Sequence, residues 1–179
     1  HTHLPVSAIP TAGLPLNGID GAIRDYQEYA SRFGIAPAGS IQTPVAEGDI
    51  AGLEAHHPAA AAELSRQLPP GSLVVLSDYD TVFLRDPGIF TDALAEADLA
   101  LAWDRRDRAA LPALVTWAFR TGPQTAALWP AWQEALTWAT AGDPSASPRA
   151  LAEVLRGGGP WRVATLLSEC VADVPHAGR

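Results

Sequence analysis

At 179 residues the chain has the length of a single domain, 1–179, large enough to bury a sizeable core but small for an enzyme with a separate acceptor domain. The net charge is −8 and all 12 basic residues are Arg. An acidic chain without a basic cluster argues against nucleic acid or an anionic membrane as partner, and the lack of Lys excludes Schiff-base and Walker-type lysine chemistry. Cys170 stands alone, so no intramolecular disulfide or cysteine-based metal site is available. No run of about 18 apolar residues predicts a membrane span, and a cytoplasmic protein is expected.

In chain order, strand-like and helix-like segments alternate. Residues 4–9 (LPVSAI) predict a short first strand ended by Pro10, and Gly13, Pro15 and Gly18 mark the loop after it. Asp20 has the character of an N-cap for a helix through Phe33. Ile23, Tyr26, Tyr29, Ala30 and Phe33 recur there at helical spacing, and Gly34 supplies the stop. Residues 35–43 predict a second strand interrupted by Pro37 and Gly39. Residues 52–68 are Ala-rich and helical in pattern, with Ala61, Leu64 and Leu68 inward and Pro58 in the first turn. The adjacent His56 and His57 cannot face the same way on a helix, and they read as surface or capping residues rather than a shared metal site.

Residues 73–77 (LVVLS) follow Pro69-Pro70-Gly71 as a short, unalternated, β-branched run. That is the pattern of a strand buried on both faces, as in a parallel sheet. Asp78 and Asp80 come where this strand runs out. Ligands of open α/β sheets sit outside the carboxyl ends of strands. Two carboxylates one residue apart at such an edge form a hard-oxygen site for a divalent cation, which neutralises a diphosphate. Asp-x-Asp is also a common loop composition, and the pattern by itself leaves a solvated loop open.

Beyond it, Asp86-Pro87 has the form of an N-cap and first helical residue, opening a helix through Ala97 with Ile89, Phe90, Ala93 and Leu94 as its apolar face. Residues 98–102 (DLALA) predict a strand, followed by Trp103, Asp104 and a charge run through Arg108. Residues 115–119 (VTWAF) predict another. Residues 124–141 read as a helix with Leu128, Trp132, Leu136 and Ala139 on one stripe, kinked or started by Pro130. Trp129, Trp132 and Trp138 are assigned to the core rather than to a sugar platform. Ser147-Pro148 is expected to cap a helix to Arg156, and Gly157–Gly159 to stop it, since a phosphate cradle precedes a helix instead of following one. Residues 162–167 form the last strand. The alternation predicts an α/β fold: three layers around a mostly parallel, twisted sheet, with 73–77 central.

The stretch 78–87, Asp-Tyr-Asp-Thr-Val-Phe-Leu-Arg-Asp-Pro, resembles the segment D-x-D-x-x-F-L-R-D-P of the nucleotide-diphospho-sugar transferases, glycosyltransferases of the GT-A fold. The resemblance runs from about Leu4 to His176, and its specific part is 73–87. It implies a GT-A-like fold and metal-dependent transfer of a sugar from a nucleotide-diphosphate donor to an unknown acceptor. It further implies Mn²⁺ or Mg²⁺ as cofactor, with Asp78, Tyr79 and Asp80 at the nucleotide and Asp78, Asp80 and His176 on the metal. Asp104, at the end of another strand, becomes the candidate general base or acceptor-hydroxyl ligand. The chain departs from the family pattern at two places: no Asn stands at 113–118, and no Lys stands in the 52–68 helix. One alternative is a degenerate transferase fold that binds a nucleotide-sugar or a partner protein without turnover. Another is a haloacid dehalogenase-like phosphatase with Asp78 as nucleophile, although the Lys and late acidic pair of that family are missing.

Overall fold

The apolar run 73–77 forms strand β3 (Leu73–Ser77), all five of whose residues are buried. The structure, a computed structural model, describes residues 4–8, 24, 28, 31–32, 35–40, 55–77, 88–103, 111–138, 143 and 145–166. With β1 (Leu4–Ala8), β2 (Ile35–Ser40), β4 (Leu99–Trp103), β5 (Pro112–Arg120) and β6 (Val163–Leu166), β3 builds one sheet in the order β2-β1-β3-β5-β4-β6. β1 pairs in parallel with β2 and β3, and β4 in parallel with β6. β5 lies antiparallel between β3 and β4, so those two point the same way and the sheet is mixed, with β5 alone opposing the others. The expected α/β class and the interior place of β3 are both observed.

Connection length accounts for the odd strand. Residues 104–111 between β4 and β5 are fewer than the dozen or more that a parallel crossover needs, so the chain must return antiparallel. Pro37 is tolerated because β2 is an edge strand, where a missing N–H costs no ladder bond on the open side. The β1–β2 register also slips there, Val6 facing Pro37 and Ser7 facing Gly39, which leaves Ala38 as a bulge.

Four helices are described: α1 (His57–Gln67), α2 (Gly88–Ala93), α3 (Pro123–Leu136) and α4 (Ala146–Gly157). They cover both faces of the sheet, which is why β3 carries no polar alternation. Val74, Leu76, Leu99, Leu101, Trp117 and Phe119 meet α1, α3 and α4 through Leu64, Leu128, Trp129, Trp132 and Leu151. Leu73, Val75, Ala100, Ala102 and Ala118 meet Phe90 and Leu94 at α2 on the other side. Asp98, buried at the start of β4, accepts from the Arg162 backbone N–H at 2.8 Å and from its guanidinium at 3.3 Å, tying β4 to β6. No helix among the described residues is long and apolar enough to cross a membrane.

Several element ends differ from expectation. α3 stops at Leu136 rather than 141, and α2 at Ala93 rather than 97. α3 passes through Pro130, which is exposed, as is Ala126, whose carbonyl loses its helical donor. α4 begins at Ala146, which turns Ser147 from an expected cap into a buried first-turn neighbour of Trp132. Gly158, at φ +79°, ends α4 as the C-terminal stop expected from 157–159. Of the predicted helix 20–33, residues 24, 28 and 31 are helical, Arg32 is in a turn, and the others lie outside the described residues.

Candidate functional site

Strands β1, β2, β3, β4 and β6 all end at one edge of the sheet, and β5 begins there. This is the carboxyl edge at which open α/β sheets hold ligands. In the sequence Asp78 follows Ser77, the last residue of β3, Asp104 follows Trp103, the last of β4, and His176 comes ten residues after Leu166, the last of β6. Asp78, Tyr79, Asp80, Asp104 and His176 themselves lie outside the described residues, as do Asp86 and Pro87. What the described residues bring together is therefore the set of strand ends that precede them. Among those residues no group of His, Cys, Asp or Glu is arranged to hold a metal ion.

The last residue of β3 departs from the apolar character of the strand. Ser77 is buried, and its hydroxyl lies 3.1 Å from that of Thr116, likewise buried, on the facing residue of β5. Beside this pair the β4–β5 register jumps: Ala100 faces Ala118 whereas Ala102 faces Ala113, so two residues of β4 span five of β5. The bulge moves Leu114 onto the same core face as Trp117 and Phe119. Bulges of this kind re-aim side chains next to sites. Thr116→Val should cost about 1 kcal/mol by removing one partner of the pair. Ser77→Ala should cost a similar amount, and the double variant less than the sum, as read by urea unfolding.

Helix directions place further residues at this edge. Trp129 of α3 packs on Phe119 at 4.8 Å, and Trp132 on Trp117 at 5.8 Å, so rising numbers on α3 meet falling numbers on β5. α3 thus ends at the carboxyl edge. α1 starts there, because His57 lies 6.4 Å from both Trp117 and Trp132, whereas Ser65, late in α1, accepts from the indole N–H of Trp129 at 2.9 Å. α4 starts there too, its Ser147 carbonyl accepting from the Trp132 indole N–H at 3.1 Å. His57, expected at the surface or in a cap, is instead buried among indoles, since tertiary packing from β5 and α3 covers it. His56, at the N-cap position, makes no side-chain capping bond.

The three tryptophans grouped as core separate. Trp129 and Trp132 are buried, but Trp138 is 86% exposed, two residues past the end of α3. Nearby in sequence, Asp143 Oδ1 accepts from the Ser145 backbone N–H at 2.9 Å and from its hydroxyl at 2.7 Å, and Arg149 reaches Oδ2 at 3.3 Å. These bonds, the Ser145 hydroxyl first among them, hold the Asp143 carboxyl below its ordinary value of 3.8. A group depressed in this way stabilises the fold above its ordinary value, and that contribution is lost as pH falls through the lower folded one. Ser145→Ala should raise the Asp143 pKa towards 3.8 in a carboxyl-carbon NMR titration. An unchanged titration curve would count against the hydroxyl as the main cause.

No family model matches the sequence, and no curated protein matches it. Among solved structures, the fold is similar to that of a glycosyltransferase involved in the glycosylation of the major capsid of PBCV-1. The match has a TM-score of 0.65 at 10% identity and covers 92% of this chain and 81% of that one. At that identity the likeness is one of fold: this chain has an α/β architecture that a glycosyltransferase also uses.

Proposed function

We propose that this chain, read as one domain over 1–179, is a metal-dependent glycosyltransferase of GT-A type that moves a sugar from a nucleotide-diphosphate donor to an acceptor hydroxyl. One observation carries the reading: β3, β4 and β6, whose ends precede Asp78-Tyr79-Asp80, Asp104 and His176, finish at the same sheet edge in a fold shared with a glycosyltransferase. The donor set is chemically suited to the cofactor, since carboxylate oxygens prefer Mg²⁺ and Mn²⁺ over softer ions. Asp78 and Asp80 would hold the cation, with His176 as a third ligand and Tyr79 beside the nucleotide. When bound, the cation offsets the negative charge of the diphosphate leaving group. Asp104 would accept the proton of the acceptor hydroxyl as its oxygen bonds to the anomeric carbon and the bond from that carbon to the diphosphate breaks.

The sequence also supports a second reading, a donor-binding module without turnover, because Asn is missing from 113–118 and Lys from the whole chain. Thermal-shift titration with Mn²⁺ and UDP- or GDP-sugars, followed by product analysis, separates the two. Metal-dependent stabilisation with sugar release or transfer is the expected result. Stabilisation with no product makes the chain a binding module, and no stabilisation by any nucleotide-sugar overturns both.

A further inference from the structure

β3 meets β5 through five facing pairs, and in four of them the β3 residue is apolar; the fifth, Ser77 with Thr116, is polar on both sides. Both residues are buried, and their hydroxyls lie 3.1 Å apart. On its other side Ser77 faces Ala8 of β1, a residue whose side chain carries no polar atom. A hydrogen bond of this kind contributes little net stability, because both hydroxyls give up water to make it. What an apolar pair cannot supply is direction: the bond sets the separation and orientation of the two side chains. Thr116 also stands in the β4–β5 bulge. Between the pairs Ala100–Ala118 and Ala102–Ala113, β5 has four residues, 114–117, and β4 has Leu101 alone. Thr116 is therefore out of regular register with β4, and its in-register neighbour is Ser77. A bulge bends its strand and re-aims side chains. Here the hydroxyl bond ties the bulged part of β5 to the residue at which β3 ends.

We propose that the Ser77–Thr116 pair is a positioning device for the cation site, fixing the end of β3 from which Asp78 follows. The inference rests on the transferase reading, in which Asp78 and Asp80 hold the metal. Consecutive Cα atoms are about 3.8 Å apart across a trans peptide, so a displacement of Ser77 carries Asp78 with it. Metal affinity is sensitive to such displacements, because all the ligands must meet one ion at fixed distances. Losing a group that orients the ligands typically costs about 10–100-fold in affinity. Ser77 and Thr116 act through the backbone and are positioning residues, not ligands.

Calorimetric titration of Mn²⁺ into the full chain, alone and with UDP or GDP, measures the effect beside the apo Tm. Ser77→Ala and Thr116→Val should each weaken Mn²⁺ binding about tenfold, and the double variant no more than the weaker single one. Thr116→Ser, which keeps the hydroxyl, should stay within about twofold of the wild type. Ser65→Ala supplies the control. It removes the acceptor of the Trp129 indole N–H at 2.9 Å, late in α1 and away from the carboxyl edge. It should lower Tm by a similar amount and leave Mn²⁺ affinity unchanged. Wild-type Mn²⁺ affinity in Ser77→Ala and Thr116→Val, with affinity lost in Asp80→Asn, overturns the positioning role and retains the transferase reading. A loss in Ser65→Ala as large as theirs also overturns it, since affinity would then follow stability alone. A wild type that binds no Mn²⁺ with or without nucleotide overturns the metal site and the positioning role together.

Discussion

Trp132→Ala is expected to lower stability by about 3–5 kcal/mol, the range for emptying the space of a fully buried Trp. The residue is 0% exposed and joins four elements at once. Its ring meets Trp117 of β5 at 5.8 Å, His57 of α1 at 6.4 Å and Trp129 of its own helix at 6.4 Å. Its N–H reaches the first turn of α4 at the Ser147 carbonyl. Truncation removes the ring contacts, leaves a cavity where α1, α3 and α4 converge, and strips the Ser147 carbonyl of its donor. Against a total stability of about 5–15 kcal/mol for an ordinary domain, the variant stands near the limit of folding. Trp138→Ala, six residues on, should change stability by no more than about 0.5 kcal/mol. Guanidinium unfolding of both variants measures the contrast. A small effect at Trp132, or a large one at Trp138, would contradict the packing described here.

That contrast shows what was legible in the sequence and what was not. Leu128, Trp132 and Leu136 step by four along α3, and the burial of the first two with the half-burial of the third follows from that spacing. Trp138 was grouped with them by residue type, but it is nine positions from Trp129, about 180° around a helix, so the same periodicity assigns it to the opposite side. β3 was legible because residues buried on both faces leave a pattern without alternation. The reversed direction of β5 is legible too, in the length of the 104–111 link, which is too short for a parallel crossover. His57 was not. Its burial depends on Trp117 and Trp132, 60 and 75 positions away in the chain, and no local pattern encodes that meeting. The expected cap of α4 also moved: Asp143, three residues before the helix, takes the Ser145 N–H and hydroxyl, and the helix starts at Ala146, one residue ahead of Ser147. At the site, composition pointed to a sheet edge, and the strand directions supply that edge. The relative geometry of Asp78, Asp80, Asp104 and His176 is a question of side-chain placement that spacing does not encode.

Asp80→Asn is expected to abolish Mn²⁺-dependent nucleotide binding, a loss of about 100-fold or more, while the apo protein stays at least as stable as the wild type. The direction of each effect follows from charge. In the proposed site Asp78 and Asp80 would share one small volume, where two carboxylates repel each other when no cation lies between them. Asn keeps the shape and one oxygen but removes the charge. The repulsion disappears, which raises apo stability, and so does half of the anionic attraction for a hard divalent cation, which lowers metal affinity. A nucleotide diphosphate carries its own negative charge into the same space, so its binding depends on the metal and falls with it. Stripping the wild type with EDTA should reproduce the binding defect, and re-adding Mn²⁺ should restore the wild type alone. Calorimetric titration of UDP and GDP with and without Mn²⁺, paired with apo Tm values, measures both halves. If Asp80→Asn binds nucleotide as the wild type does, or loses binding only because it unfolds, Asp80 is a loop residue of the sheet edge and the metal-dependent mechanism falls with it.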